Sequence, residues 1–382
     1  MRSGPFRFGV EHEVAFTRPA ARAGGLADFT NTRFEELQEI VEGLPANGGD
    51  PGLRVDEVGI KVGRWYVEGF ERFDERGRFV GCDPKGIEIR TPVAGSIGET
   101  VGTLKDLSMQ LATAAAQQGL RPVTIAFNPF RPRYVPDPPL NPWEASKRAA
   151  CPEDRTAHRH MVTYGPDLNL SRAGMTPGEL VDVGRKLTAC SPYLVPFSFN
   201  SPFFCGELWN GLSRRTHYRT GPRPAALVFV PDAGEMIPSR PSLTRVARIP
   251  SEAGRIEFKA FDAMDALGDL DLYGGLLALL KGLVLDGSLR GRRTVPDARL
   301  HRLSARLGFH SPHIFEGARR ILAAARRALE GDPDQPRLDV LASMHRTKTS
   351  PADALIARYR QTRDIVSALG GETQPEEGCV LS

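Results

Sequence analysis

Cysteine is scarce in this sequence and follows no regular spacing. The five cysteines, Cys82, Cys151, Cys190, Cys205 and Cys379, include no Cys-x-x-Cys pair. The sequence therefore has neither a zinc-ribbon pattern nor the paired framework of a disulfide-rich secreted domain. Because unpaired thiols are typical of reducing compartments, we expect a cytoplasmic protein.

Long apolar runs and a strong net charge are also lacking. The longest apolar stretch, residues 276–285, is interrupted by Lys281 and is too short for a transmembrane helix. The 50 lysines and arginines only slightly exceed the 46 aspartates and glutamates, which argues against a surface dominated by nucleic-acid binding. We therefore expect small-molecule substrates as partners, with no nucleic acid and no membrane. The sequence leaves the oligomeric state open.

Glycine-rich phosphate-binding motifs are missing, although glycine and proline are abundant. Neither GxxxxGK[ST] nor GxGxxG occurs, so a bound nucleotide must be held by other groups, such as carboxylates with a metal ion. The 39 glycines and 31 prolines exceed the usual combined share of about 12% and predict many turns and long loops. This composition favours a strand-rich fold and argues against a helical bundle or coiled coil.

Local patterns place strands mainly in the first two thirds of the chain and helices towards its end. Alternation predicts strands at residues 6–16, 86–92, 167–171 and 255–262. Capping signals and apolar periodicity predict helices at residues 96–116, 177–189, 265–286, 298–307, 312–330 and 350–368. The pattern indicates an α+β fold. We expect one domain over residues 1–382, with a helical part at about 265–370 and a short tail at 371–382.

Turn and loop signals complete the outline. Turns are predicted at residues 74–77 and 83–86. The seven prolines of residues 128–152 predict an extended connection or a lid. Residues 191–250 are rich in proline and arginine and have little helical signal beyond Asn200.

Acidic side chains share one face of the first predicted strand. Because side chains alternate along a strand, Glu11 and Glu13 point the same way, whereas Phe8 and Val10 point the other way. The other three strands repeat this division into an apolar face and a polar face. Their polar faces carry Glu88, Arg90, Asp167, Asn169, Ser171, Arg255, Glu257 and Lys259.

This pattern has two interpretations. An antiparallel sheet with helices on one side and water on the other explains it without any function. The alternative is a curved sheet whose polar face lines a cavity, because glutamate recurs at the centre of three strands that stop at glycine or proline. Clustered carboxylates repel one another unless cations lie between them. Oxygen ligands suit Mg²⁺ or Mn²⁺, and Mg²⁺ usually accompanies nucleotide phosphates.

A series of short motifs supports the second interpretation. They are FGVEHEV at residues 8–14, GIEIRTP at 86–92, NPF at 128–130, NSPFFCG at 200–206, GLSRR at 211–215, RIEFKAFD at 255–262 and SPAD at 350–353. In order and spacing, this set resembles the glutamate–cysteine ligases of the second bacterial type, including the cyanobacterial branch, and the related carboxylate–amine ligases. The resemblance extends over most of the chain.

The resemblance implies a strongly curved, mainly antiparallel β-sheet that forms a funnel, as in glutamine synthetase and the guanido kinases, with helices packed outside. It also implies a ligase that uses ATP and Mg²⁺, with Mn²⁺ as a possible substitute. Such an enzyme joins the γ-carboxylate of L-glutamate to the amine of L-cysteine through a γ-glutamyl phosphate, the first step of glutathione-type thiol synthesis. Alternatives are the same chemistry on another amine or carboxylate, and a non-catalytic nucleotide-binding relative.

Residue roles follow from the resemblance by position. The implied metal ligands are Glu11, Glu13, Glu88 and Glu257. The implied ATP-binding residues are Glu13, Arg255 and Glu257, the catalytic residues are Arg90, Arg215 and Lys259, and the substrate-binding residues are Asp167, Asn169 and Arg215. At two positions the chain departs from the family, since Lys259 replaces its usual arginine and Asp167 its usual histidine. Both changes bear on the substrate pair more than on the reaction type.

Two further features have simpler interpretations. His158 and His160 have a spacing suitable for metal binding, but no third ligand lies nearby in the sequence, so we expect an exposed loop. Cys205 lies in the Ser-Pro-Phe segment and has no histidine partner recognisable from the sequence. We expect a packed thiol there rather than a nucleophile.

Overall fold

The computed structural model describes residues 4–18, 25–45, 61–150 and 154–370. Cys151, Cys379 and the predicted tail at residues 371–382 lie outside the described residues. The strands, in chain order, are β1 (Phe6–Thr17), β2 (Leu26–Ala27), β3 (Trp65–Phe73), β4 (Phe79–Arg90), β5 (Arg121–Val123), β6 (Asp167–Arg172), β7 (Phe203–Phe204), β8 (Glu207–Leu208), β9 (Ala226–Val230), β10 (Thr244–Val246) and β11 (Ile256–Phe258).

Helices occupy most of the last third of the described chain, and several also lie between the strands. They are α1 (Phe34–Glu42), α2 (Ile97–Gln117), α3 (Pro142–Ala150), α4 (Ala157–His160), α5 (Pro177–Leu194), α6 (Arg214–Arg219), α7 (Leu270–Leu285), α8 (Ala298–Leu307), α9 (Pro312–Ala328), α10 (Asp339–Thr347), α11 (Pro351–Thr362) and α12 (Ile365–Ala368). Among the residues described, none of these helices has both the length and the apolar character needed to cross a bilayer.

In the part of the chain that the structure describes, nine strands form one sheet that curls into a half-barrel. The strand order is β10-β9-β11-β6-β1-β4-β3, and β2 and β5 pair with the end of β1. Within this described sheet, β9 and β10 are parallel, and the other pairings are antiparallel. Strand β1 therefore lies between β4 and β6, both of which carry acidic residues. The α+β class predicted from the sequence is confirmed.

The apolar face of the sheet packs against helices. Phe8 and Val10 of β1 and Ile87 and Ile89 of β4 belong to one hydrophobic core with residues of α2, α5, α7 and α9. Helix α7 is buried on all sides, which explains why its sequence is apolar around the whole circumference. These helices cover the apolar face of the sheet.

The opposite, polar face of the sheet is buried as well. Glu13, Glu88 and Glu257 are only 8%, 6% and 4% exposed. A solvated face would leave these carboxylates open to water, so that interpretation is wrong for β1, β4 and β11. Because buried charges need partners, the groups around these three residues define the candidate site.

A β-bulge in β4 replaces the turn predicted at residues 83–86. The register between β3 and β4 shifts at this point, so that Lys85 is an extra residue. In an unbroken strand, Lys85 would point towards the helices together with Ile87. At the bulge it points to the polar face instead, and its Nζ lies 2.7 Å from Glu13 Oε1. Tertiary pairing of the strands therefore overrides the local Asp-Pro-Lys-Gly turn signal.

Two segments predicted without helices contain short regular elements. Helix α3 lies within residues 128–152, where we expected an extended connection or a lid, and Glu144 of this helix pairs with Arg72 of β3 at 3.0 Å. Residues 191–250 contribute α6, β9 and β10. These elements are short, and long-range contacts with the sheet stabilise them, which is why the local pattern did not indicate them.

The close approach of β4 to β1 gives a test of this sheet. A Cβ at Gly86 would lie 2.0 Å from the Val14 carbonyl oxygen, whereas one at Gly81, on the same strand, would have no neighbour within 4 Å. We expect Gly86→Ala to lower the free energy of unfolding by about 1–3 kcal/mol, because the strands must move apart. Gly81→Ala is the matched control and should change it by less than about 0.5 kcal/mol. Urea unfolding measures both, and equal losses would contradict the close approach.

Candidate active site

A basin of about 340 Å³ lies on the polar face of the sheet. Residues of β1, β3, β4, β6 and β11 form its floor, and residues of α4 and α6 contribute to its walls. The ten residues to which the resemblance gives a role all line this basin: Glu11, Glu13, Glu88, Arg90, Asp167, Asn169, Arg215, Arg255, Glu257 and Lys259. The structure therefore places all ten residues in one basin, whereas their roles in binding and catalysis remain predictions.

One cluster of carboxylates forms where β1, β6 and β11 lie side by side. Glu11 pairs with Asp167 across β1 and β6, and Asn169 pairs with Glu257 across β6 and β11. One oxygen from each of Glu11, Asp167 and Glu257 lies within 4.8 Å of the other two, and we call these three residues the acidic triad. The Lys259 ammonium enters this triad and donates to both Asp167 and Glu257.

The acidic triad carries more negative charge than its neighbours balance. Burial raises the pKa of Asp167 to about 8, with Glu257 and Glu11 adding to the shift and Lys259 opposing it. Burial also disfavours the ionised form of Glu257, but Lys259 and Arg255 outweigh it and lower the pKa of that carboxyl. Arg255 Nη1 lies 3.3 Å from Glu11 Oε1. The raised pKa of Asp167 reflects burial together with this shortage of positive charge.

A second cluster combines residues of β1, β3 and α4. Glu13, Glu68 and His160 bring one ligand atom each within 4.8 Å of the others, and we call them the mixed cluster. His160 contacts Glu68, and its Nε2 lies 3.2 Å from Glu13 Oε1. Lys85 Nζ lies 2.7 Å from Glu13 Oε1, and Lys61 Nζ lies 3.0 Å from Glu68 Oε2. Burial, assisted by Lys85, lowers the pKa of His160 to about 4, so its imidazole is neutral near pH 7.

The four predicted metal ligands are divided between these clusters. Glu11 and Glu257 belong to the acidic triad and Glu13 to the mixed cluster, whereas Glu88 belongs to neither group among the described residues. Glu88 pairs with Glu13 across β1 and β4. Burial raises the pKa of Glu88 well above its usual range, with Glu68 and Glu11 adding to the effect. In its neutral form Glu88 does not repel the carboxylates beside it.

Backbone carbonyl oxygens orient two of the predicted catalytic cations. Arg90 donates to the Gly63 carbonyl through Nε at 3.0 Å and Nη2 at 2.6 Å. Arg215 donates to the carbonyl oxygens of Ala260 at 3.1 Å and Lys259 at 3.2 Å. Both side chains are almost completely buried. Their guanidinium groups are therefore held in fixed positions at the basin wall.

A buried aspartate determines where Arg215 lies. Asp262, just beyond β11, accepts hydrogen bonds from the Asn200 backbone N–H at 2.9 Å, the Ser201 hydroxyl at 2.7 Å and the Ser213 hydroxyl at 2.9 Å. Ser213 is the N-cap of α6, the helix that carries Arg215. The Ser-Pro-Phe motif and the last acidic strand are thereby joined.

Three residues of the site near Glu13, namely Lys61, Glu68 and Lys85, were not predicted from the sequence. Lys61 and Glu68 fall in a region predicted only as several short strands, whereas Glu68 lies on the long strand β3. No local signal identifies Lys85, because its orientation depends on the bulge. Lys85 and Glu68 contact partners that are distant in sequence, Glu13 and His160, whereas Lys61 contacts Glu68 only seven residues away.

Two expectations about reactive side chains are wrong. His160 does not lie in an exposed loop: helix α4 carries it to the basin, where its side chain is only 27% exposed. The spacing of the two histidines drew attention to His160, but the groups that it meets are Glu13 of β1 and Glu68 of β3, and His158 belongs to neither cluster of the described residues. Cys205 is exposed rather than packed, with a φ of 53°.

The two clusters differ in their fit to a divalent cation. The acidic triad offers three carboxylate oxygens, the donors that Mg²⁺ and Mn²⁺ prefer. Asn169 is 8% exposed, its Nδ2 lies 3.4 Å from Glu11 Oε1, and its buried Oδ1 has no hydrogen-bond partner in the described ranges. In the mixed cluster, Glu13 Oε1 is held by Lys85, and Glu13 Oε2 accepts from the Gly165 N–H at 2.8 Å. The acidic triad therefore fits a divalent ion, and the mixed cluster does not.

Solved structures with a fold similar to that of this chain are known, although sequence comparisons find no relative. No family model matches the sequence, and no curated protein shows significant similarity to it. A bifunctional glutathione synthetase from Pasteurella multocida has a TM-score of 0.53 and 12% identity, over 94% of this chain and 50% of that chain. Glutamate–cysteine ligase from Francisella tularensis, in complex with AMP, has a TM-score of 0.53 and 10% identity, over 97% and 88% of the two chains.

These comparisons establish the fold. The chain has the fold of glutamate–cysteine ligase, as the sequence resemblance implied, and it spans about half the length of the bifunctional enzyme. Because unrelated activities can share one fold, the reaction must be argued from the residues of the basin.

The two carboxylates on the polar face of β1 should differ in their effect on stability. Glu13 is buried between Lys85 and Gly165, whereas the Glu11 side chain is 24% exposed and pairs with Arg255 at 3.3 Å. We expect Glu13→Gln to lower the free energy of unfolding by at least about 2 kcal/mol, because Lys85 keeps a buried charge without its counter-ion. Glu11→Gln is the matched control and should lower it by less than about 1 kcal/mol. Denaturant unfolding at pH 7 without ligands measures both, and similar losses would refute the distinction.

Proposed function

We propose that the protein is an ATP- and Mg²⁺-dependent carboxylate–amine ligase that joins the γ-carboxylate of L-glutamate to the amine of L-cysteine. The observation that carries this proposal is the acidic triad, in which carboxylates from three strands of one curved sheet converge beside cations of the chain. The Francisella glutamate–cysteine ligase has this fold, and its structure contains AMP, which supports a nucleotide ligand for this chain. A basin of this kind suits a triphosphate with its divalent ion.

The proposed reaction has two steps. A carboxylate oxygen of glutamate attacks the γ-phosphorus of ATP, the bond from that phosphorus to the β–γ bridging oxygen breaks, and ADP leaves. The cysteine nitrogen then attacks the acyl carbon of the γ-glutamyl phosphate, inorganic phosphate leaves, and the nitrogen loses a proton. Both steps depend mainly on positioning and on neutralising negative charge.

The residues of the basin supply these two contributions. Glu11, Asp167 and Glu257 would hold a divalent cation, which neutralises phosphate charge when bound. Arg215 and Arg255 each have a buried Nε–H without an acceptor among the residues described, which supports them as donors to an anionic substrate. Charge-assisted bonds from arginine suit both phosphate and carboxylate oxygens.

Three other lining residues complete the assignment. We assign Asn169 to substrate binding, and Arg90 and Lys259 to neutralising the transferred phosphoryl group. Glu13 and Glu88 line the same basin, where the contact between Glu13 and Lys85 supports a role in positioning. Water must be kept out of such a basin, because an acyl phosphate is readily hydrolysed.

A second candidate is the same acyl-phosphate chemistry on another amine or carboxylate. The observation that favours it is the pairing of Lys259 with Asp167, where the resemblance implies arginine and histidine. Lysine lacks the planar fork with which arginine binds a carboxylate through two hydrogen bonds. Under this second candidate, the protein uses an acid other than glutamate, an amine other than that of cysteine, or both.

ADP formation with MgATP and a panel of amino acids tests the proposal. We expect ADP release to require glutamate and cysteine together, and hydroxylamine to yield a hydroxamate in place of the amide, because it traps the acyl phosphate. Dependence on another acid and amine would identify the second candidate. Nucleotide binding without ADP release for any pair would refute the ligase and indicate a non-catalytic relative.

The acidic triad predicts the effect of a single substitution. We expect Glu257→Gln to lower ADP formation by about 100-fold or more, because one ligand charge is lost where the phosphates are neutralised. Glu316→Gln, which removes an exposed carboxylate of α9 paired with Arg319, is the control and should leave the rate unchanged. A Glu257→Gln rate close to that of the parent would exclude the acidic triad as the reaction centre.

A further inference from the structure

Two lysines place positive charge among the carboxylates of the basin, and the first is fixed. The Lys85 side chain is fully buried. Its Nζ lies 2.7 Å from Glu13 Oε1, 3.0 Å from the His160 carbonyl oxygen and 2.8 Å from the Thr163 carbonyl oxygen. Three acceptors around one nitrogen need the three hydrogens of an ammonium group. Lys85 is therefore a cation that cannot leave without breaking three buried hydrogen bonds.

The second lysine is held differently. The Lys259 ammonium donates to Asp167 and Glu257, which both belong to the acidic triad, and its side chain is 13% exposed towards the basin. A cation that enters the triad needs the oxygens that Lys259 contacts. The two therefore compete for the same carboxylates.

Charge balance separates the two clusters further. In the mixed cluster, the ammonium groups of Lys85 and Lys61 match the two carboxylates Glu13 and Glu68. In the acidic triad, Lys259 and Arg255 face three carboxylates, so the fully ionised triad has one negative charge unmatched, and Arg255 is also shared with Glu252. A divalent ion together with Arg255 would balance the triad without Lys259. Buried charge of one sign is unfavourable, so this exchange improves the balance.

We propose that a divalent cation binds at the acidic triad by displacing the Lys259 ammonium, whereas Lys85 permanently occupies the comparable place beside Glu13. The basin then binds one such ion per chain in the absence of nucleotide. The Asn169 side chain, whose Nδ2 lies 3.4 Å from Glu11 Oε1, has a buried Oδ1 without a hydrogen-bond partner in the described ranges and so offers a further oxygen. The displaced Lys259 ammonium stays in the basin and is available to an anionic group of a substrate. This inference rests on the proposed function for its choice of a divalent cation, and it does not depend on which acid and amine are joined.

Titration of the full chain with Mn²⁺ alone, followed by the electron paramagnetic resonance of free Mn²⁺, tests the proposal. We expect one site per chain. Lys259→Met should bind Mn²⁺ at least about tenfold more tightly, because the internal competitor is removed. Glu257→Gln should bind it at least about tenfold more weakly, because even the outer partners of a metal ligand affect affinity by that factor.

Matched controls come from the mixed cluster and from the surface. Glu68→Gln repeats the Glu257→Gln change beside Glu13 and should leave Mn²⁺ affinity unchanged. Lys105→Met, on the exposed side of α2, repeats the Lys259→Met change away from the basin. The thermal midpoint of every variant is measured alongside. If Glu68→Gln does not fold, Lys61→Met is the control instead, because Lys61 is the more exposed member of the Lys61–Glu68 ion pair.

Three results would overturn the proposal: two Mn²⁺ ions per chain, a loss in Glu68→Gln as large as that in Glu257→Gln, or no tighter binding in Lys259→Met. Measuring both Mn²⁺ binding and ADP release also tests the cation exchange separately from the proposed ligase activity. The expected Mn²⁺ pattern without ADP release for any amino-acid pair would refute the ligase and support the cation exchange. If the unsubstituted protein releases ADP but Lys259→Met binds Mn²⁺ no more tightly than it does, the ligase is supported and the cation exchange is refuted.

Discussion

Mutual repulsion of buried carboxylates is the constraint on which the polar face of this sheet depends. Strand β1 places Glu11 and Glu13 on one face, and pairing with β4 and β6 adds Glu88 and Asp167 directly beside them. Because the curved sheet buries this face, water does not screen these charges as it would at a surface. The lysines and arginines around them are therefore required by the fold itself, before any ligand binds.

The sequence predicted what depends on local periodicity and on motif position. The alternation around Glu11 was sufficient to predict the polar face of β1, and Ser96 with Glu99 marked the start of α2, where the Ser96 side chain accepts from the Glu99 N–H. All ten residues with implied roles line the basin, because nine of them lie on or directly beside strands that the fold brings side by side and α6 carries the tenth, Arg215. The helix predicted at residues 265–286 is present as α7.

The rest depends on register and on long-range contacts, which single segments do not encode. Whether Glu13 joins the acidic triad or the mixed cluster is decided by Lys85, and Lys85 reaches Glu13 only because β4 is bulged. His160 reaches the basin because α4 lies beside β3, although His160 and Glu68 are 92 residues apart. A motif predicts on which strand, and on which face of it, a carboxylate lies. The cations and histidines that contact this carboxylate come from other parts of the chain, so the motif does not predict them.

Sequence neighbours on one strand can therefore have different tasks. Glu13 has both oxygens engaged by Lys85 and by the Gly165 N–H, so it stabilises the folded basin whether or not a substrate is present. Glu11, two residues away, has longer contacts to Arg255 and Asn169, both at 3.3–3.4 Å, and its surroundings are short of positive charge. A fully compensated cluster resists added cations, whereas an incompletely compensated one attracts them. The same repulsion that the fold must overcome beside Glu13 thus becomes, beside Glu11, the driving force for binding a cation.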